Sequence, residues 1–167
     1  LLQAFQEVLQ QKVEAQLLIV GGTQRQVREY TDLSEKLGVD ESVIFTGRVE
    51  HATAQQLCRL ADVQISPRSS GTNTPLKIYE QLASGIPLVV TDIYSHTQAI
   101  DSKVAFFVEP EPKDMARGII EALSSKSLCE EKTNAAKALY EMKYSRPVYE
   151  RKLQQIIQRV LAKEDLS

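Results

Sequence analysis

Val63-Gln64-Ile65-Ser66-Pro67-Arg68-Ser69-Ser70-Gly71-Thr72-Asn73-Thr74-Pro75-Leu76-Lys77-Ile78-Tyr79-Glu80 begins as a short strand, crosses a polar loop and enters a helical pattern. The loop from Pro67 to Thr74 has no hydrophobic residue in it. The spacing predicts a helix with Thr74 as N-cap and Pro75 at its first position, running to Ser84 and stopped by Gly85. Leu88-Val89-Val90 then reads as the next strand. Two apolar strands joined by a crossover helix run parallel.

The same alternation extends in both directions. Leu1, Phe5, Val8, Leu9 and Val13 recur at helical spacing and predict a helix over 1–13. Leu17-Leu18-Ile19-Val20 is a buried strand closed by Gly21-Gly22, and Val43-Ile44-Phe45-Thr46 is a second, closed by Gly47. Between them Val27, Tyr30, Leu33 and Leu37 set a helix that Gly38 stops. A helix near Ala52–Ala61 precedes the strand Val63–Ser66, and Val104–Val108 is the fifth strand. Helices over 112–124, 127–143 and 147–163 follow, the last with Val148, Leu153, Ile156, Ile157, Val160 and Leu161 as its apolar stripe. Continuous apolar strands separated by helices predict a doubly wound, Rossmann-like α/β domain spanning residues 1–167, with helices on both faces of a parallel sheet. Ligands of such sheets bind beyond the carboxyl ends of the strands. That places the candidate site at Gly21-Gly22, Gly47-Arg48, Ser66–Thr74 and Thr91–Ser95.

Composition removes several function classes. Of 167 residues, 43% are hydrophobic and 25% charged, as in an ordinary globular domain. Lys and Arg number 20 against 22 Asp and Glu, a net charge of -2, so no global field attracts nucleic acid and any phosphate recognition is local. No apolar run approaches the roughly 20 residues of a membrane span. Cys58 and Cys129 read as packing residues of a cytoplasmic protein, and with only two histidines structural zinc is not expected. His51 and His96 read as surface residues of loops. The first residues have neither a basic region nor an initiator Met and read as the middle of a helix, so a fragment of a longer protein is expected.

The chemistry concentrates after Ser66. First-turn amides of a helix are unpaired and its dipole favours an anion. Pro75 has no N–H, so the candidate phosphate donors are the amides of Leu76 and Lys77 and the hydroxyls of Thr72 and Thr74. Lys77 in the first turn opposes the dipole unless an anion or carboxylate compensates it. Glu80 either pairs with Lys77 at i+3 or faces the crevice and accepts from a ribose diol. Gly21-Gly22 permits close backbone approach to a ligand, or simply a turn at positive φ. Gly47-Arg48-Val49 carries the same two readings.

Taken in order, several of these pieces resemble one family. They are Leu17–Gly22, Val43–Gly47, Leu60-Ala61-Asp62-Val63, Ile65–Arg68, Gly71-Thr72-Asn73-Thr74-Pro75-Leu76-Lys77-Ile78-Tyr79-Glu80, Leu82–Asp92 and the closing Tyr140–Leu161. The chain resembles the C-terminal, nucleotide-sugar-binding half of the group 1 retaining glycosyltransferases, which have the two-domain GT-B fold. The resemblance implies that the base is read by main chain at Arg48 and Val49, that the diphosphate sits at Thr74, Leu76 and Lys77, and that Glu80 takes the ribose hydroxyls. Gly21 and Gly22 line the same cleft, and Arg68, Thr72 and Asn73 complete the donor-binding set. Thr72 stands where the first Glu of a Glu-seven residues-Glu motif is expected, so the resemblance names no catalytic residue.

The activity that the resemblance implies is transfer of a sugar, with retention, from a UDP- or GDP-sugar to an acceptor, with no metal or other cofactor. An absent N-terminal domain would bind the acceptor and make any peripheral membrane contact. Two alternatives are a nucleotide-sugar epimerase of the same fold and a non-catalytic flavodoxin-like binding module. The resemblance also implies a central first strand preceding Leu1. Without it, either Leu17–Val20 and Val63–Ser66 pair directly, giving the order 2-1-3-4-5, or a strand from elsewhere lies between them.

Overall fold

The computed structural model describes residues 1–164. Helix α1 (Leu2–Gln10) leads to strand β1 (Leu17–Val20), then α2 (Gln24–Lys36), a 3₁₀ turn at Asp40–Ser42 and β2 (Val43–Gly47). After these come α3 (His51–Cys58), β3 (Gln64–Ser66), α4 (Lys77–Ser84), β4 (Leu88–Thr91) and the one-turn α5 (Tyr94–Thr97). Strand β5 (Phe106–Val108) and helices α6 (Pro112–Ser124), α7 (Lys126–Lys143) and α8 (Arg146–Glu164) complete the order. All five expected strands are present and every pairing between them is parallel.

Strand β4 shows why the sheet must be covered twice. All four of its residues are buried. Val89 joins one core with Leu2, Phe5 and Val8 of α1, Phe106 and Val108 of β5, and Met115 and Ile119 of α6. Leu88 and Val90 point the other way, into a second core with Ile78 and Leu82 of α4, Ile100, Val104 and Ala136. This is the period-two alternation of a strand between two helical layers. In α6, Gly118 lets the helix lie close to the sheet, because a Cβ there would stand 2.5 Å from Val108 Cγ1.

The ladder is broken once. Strand β1 pairs with β2, and β3 with β4 and β4 with β5, but no strand pairing joins β1 to β3 among the described residues. Direct pairing of Leu17–Val20 with Val63–Ser66 is therefore not what the chain does. The two pieces share one apolar layer, since Leu17 and Val43 pack in the same core as Val89 and Phe106.

Three local expectations are corrected. Helix α4 starts at Lys77, and Thr74 makes no capping hydrogen bond. The chain from Pro75 turns more tightly than an α-helix, so the regular helix begins two residues later than the capping pattern predicts. The first turn closes instead by tight bonds from the Ile78 amide to the Pro75 carbonyl at 3.0 Å and from Tyr79 to Leu76 at 3.2 Å. The apolar stripe of α8 is uncovered, with Ile156 58% and Val160 53% exposed. Cys58 is exposed, whereas Cys129 is buried and its thiol donates to the Ala122 carbonyl. No helix among the described residues is long and apolar enough to cross a membrane.

Candidate functional site

The parallel strands deliver their carboxyl ends to one edge, and the candidate residues gather there in two groups. At the ends of β1 and β2, the Gly21 amide donates to Thr46 Oγ1 at 3.2 Å, and Gly21 bridges to Gly47. Gly21 and Gly22 have φ of 103° and 97°, so the turn itself requires them. Arg48 is exposed and Val49 half-buried immediately beyond. Glu80 reaches this group from α4, with Oε1 3.8 Å from His51 Nε2 at the start of α3. No ion pair joins Glu80 to Lys77 among the described residues.

The second group is the loop after β3, and three hydrogen bonds hold it in place. Thr91 Oγ1 donates to the Arg68 carbonyl at 2.5 Å, Gln98 Nε2 to the Thr72 carbonyl at 2.8 Å, and Arg68 Nη1 to the Asn73 carbonyl at 2.9 Å. Each of these ties uses a carbonyl, and none consumes a backbone N–H of the loop. The Arg68 guanidinium lies against Gly71, where a Cβ would meet it at 3.3 Å.

Below the loop is a buried polar network that the pattern of the sequence does not reveal. His96 is fully shielded from solvent, against the expectation of a surface residue. Its Nδ1 is 2.8 Å from the Thr91 carbonyl and its Nε2 is 3.0 Å from Ser66 Oγ. One signal points to it, because His96 follows a strand end that the α/β rule already marks. Its burial depends on Ser66, thirty residues earlier.

The electrostatics single out Lys77. Its side chain is exposed overall, yet crowding around the ammonium, and then the charge of Arg68, hold its pKa below the ordinary 10.5. Cys58 acts weakly in the opposite direction. Two neighbouring cations at a helix start favour an anion between them.

Lys77 and Glu80 differ in what surrounds them. Glu80 lines a concavity of about 290 Å³ with Tyr79, Tyr140, Lys143, Tyr144, Tyr149 and Lys152, and Lys77 is not part of it. Among the described residues no group of three or more His, Cys, Asp or Glu gathers as a metal site.

Comparison with known proteins places the chain in a family. The family model described as "Glycosyl transferases group 1" matches residues 1–139. The chain is 30% identical over 169 residues to alpha-monoglucosyldiacylglycerol synthase of Streptococcus pneumoniae, covering 97% of this chain and 38% of that protein. Its fold matches a glycosyltransferase from Rickettsia africae with a TM-score of 0.85 at 20% identity, over 96% of this chain and 43% of the other. It also matches Anabaena Alr3699/HepE, solved in complex with UDP, with a TM-score of 0.81 at 18% identity, over 93% and 44% of the two chains. The chain thus spans less than half the length of each of these relatives. With the match covering most of its residues, the chain belongs to the group 1 glycosyl transferases.

Proposed function

We propose that this chain is the donor-binding domain of a retaining hexosyltransferase that moves a sugar from a nucleoside-diphosphate sugar to an acceptor. The observation that carries the reading is the polar loop before α4: it is fixed through its carbonyls, its Arg68 lies close enough to Lys77 for the two cations to repel, and neither has a carboxylate counter-charge among the described residues. A diphosphate supplies that charge. The amides of Leu76 and Lys77 and the hydroxyls of Thr72 and Thr74 complete its shell. Arg48 and Val49 offer main chain to the base, beside the Gly21-Gly22 turn, and Glu80 accepts from the ribose. Thr72 and Asn73, at the loop tip, lie nearest the sugar in this reading.

The chemistry is stabilisation of the leaving diphosphate by fixed cations and amides as its bond to the sugar breaks. The reading assigns that neutralisation to the protein and to no metal. Family membership supports it over an epimerase or a flavodoxin-like module, and the UDP complex of Alr3699/HepE supports a uridine nucleotide first. An acceptor domain outside these residues, a strand of it or of its linker between β1 and β3, and a cytoplasmic setting belong to the same proposal.

Isothermal titration with UDP, GDP and uridine tests it. UDP or GDP is expected to bind and uridine to bind far more weakly. Equal affinity for uridine and UDP would remove the diphosphate site.

A further inference from the structure

We propose that His96 is a positioning residue for the donor loop: its ring ties β3 to β4 beneath Pro67–Thr74, and a second proton on the ring releases that loop. The tie stands on geometry alone; its consequence for nucleotide binding rests on the donor-site reading above.

The tautomer follows from the partners. A carbonyl only accepts, so Nδ1, 2.8 Å from the Thr91 carbonyl, carries the proton. In the neutral ring Nε2 then accepts, and the Ser66 hydroxyl at 3.0 Å donates to it. The Thr91 hydroxyl is committed to the Arg68 carbonyl at 2.5 Å, which leaves its lone pairs to share Nδ1–H at 3.2 Å. The chain of donors therefore runs one way, from Ser66 through His96 and Thr91 to the first residue of the loop after Pro67. Arg68 continues it to Asn73, and Gln98, two residues past His96, holds Thr72.

A second ring proton reverses the Ser66 contact, and the hydroxyl must turn to accept. It also adds a charge in a site closed to solvent. The charged groups that face the ring are Arg68 from the loop and Lys77 from α4, both cations; β3 and β4 present hydroxyls and a carbonyl. Burial first, then those two charges, hold the ring's pKa below the ordinary 6.5, against the raising effect of the Thr91 bond.

The test compares the intact chain with His96→Phe, which keeps the ring and removes both nitrogens, and His96→Asn, which keeps a donor at the Nδ1 position. Amide exchange at 68–74 is expected to rise about tenfold in His96→Phe, with β4 unchanged, and UDP binding to weaken about tenfold. His96→Asn should recover both. UDP affinity of the parent, measured relative to His96→Asn, should be flat above about pH 6.5 and fall, by up to about tenfold per pH unit, as the pH drops through the ring's lowered folded-state pKa. Unchanged loop exchange in His96→Phe, or one shared pH profile for parent and His96→Asn, would overturn the proposal. UDP binding that is equal in parent and His96→Phe would also overturn it. Loop release without any nucleotide binding by the parent would leave the tie standing and sink the donor site instead. Ser66→Ala, which removes only the Nε2 partner, carries the same comparison if His96→Phe does not fold.

Discussion

Ser66 Oγ lies 3.0 Å from His96 Nε2, and both residues are shut off from solvent. The contact joins the carboxyl end of β3 to the helical turn after β4, the two places where the polar loop is anchored. A buried polar pair of this kind is costly unless fully bonded, and here both ring nitrogens have partners. The loop itself lacks apolar residues and cannot hold its shape by packing. It is held by hydrogen bonds from Thr91 at the end of β4, from Gln98 just after α5 and from its own Arg68.

Stability should therefore depend on pH through His96. Its folded pKa lies below 6.5, so between the two pKa values the unfolded chain binds more protons than the folded one. Stability is then full at alkaline pH and falls as pH drops below about 6.5, with a slope of at most about 1.4 kcal/mol per pH unit. Urea unfolding of the parent and of His96→Phe at several pH values measures this. The parent should lose stability faster than the variant between about pH 7 and 5. Parallel curves would show that His96 does not titrate on unfolding.

Lys77→Met should separate binding from stability. The folded pKa is below 10.5, so at neutral pH the charged form is disfavoured in the fold relative to the unfolded chain. Removing the charge should stabilise the free chain, by less than about 1 kcal/mol because the side chain is largely in water. The same change should cost about 1.5–3 kcal/mol of UDP affinity, the scale of a hydrogen bond to a charged group. A variant that binds UDP as the parent does would remove Lys77 from the diphosphate site.

Glu80→Ala is expected to weaken UDP by about 1–3 kcal/mol through loss of the ribose contact. The parent and variant should bind a 2′,3′-dideoxy analogue equally, since that ligand has no diol to lose. An equal drop for both ligands would mean that Glu80 acts through the packing of α4, or through His51, rather than through ribose.

The strands are legible in the sequence because β1 and β4 have no exposed residue and so leave unbroken apolar runs. The chemistry-bearing loop is legible for the opposite reason, its lack of apolar residues between a strand and a helix. Helix α5 spans four residues, too few to show a period, and so His96 reads as part of a loop. Thr74 matches a capping residue by type and position, but the turn after it closes with i→i+3 bonds and the regular helix starts at Lys77. The stripe on α8 is periodic as expected, yet periodicity states which face is apolar and not whether anything covers it. Lys77 and Glu80 both belong to α4, but whether they share a cavity depends on α7 and α8, far away in sequence.

Gly118→Ala sets two known effects against each other on α6. Alanine in place of glycine inside a helix gains about 1 kcal/mol from backbone entropy. The new methyl would stand 2.5 Å from Val108 Cγ1 and 3.2 Å from Val89 Cγ1, both on fully buried β-branched side chains with little freedom to turn aside. Overpacking a well-filled core costs about 1–3 kcal/mol, so destabilisation should win and the variant should unfold at lower urea than the parent. The double variant Gly118→Ala with Val108→Ala separates the two effects. Val108→Ala alone leaves a cavity and is destabilising, but in the double variant the nearer obstructing methyl group, the one at 2.5 Å, is gone. The pair should then be more stable than the sum of the single changes predicts, by roughly 1 kcal/mol or more. Simple additivity would show that α6 moves off the sheet to make room, and that β4 and β5 do not fix its distance.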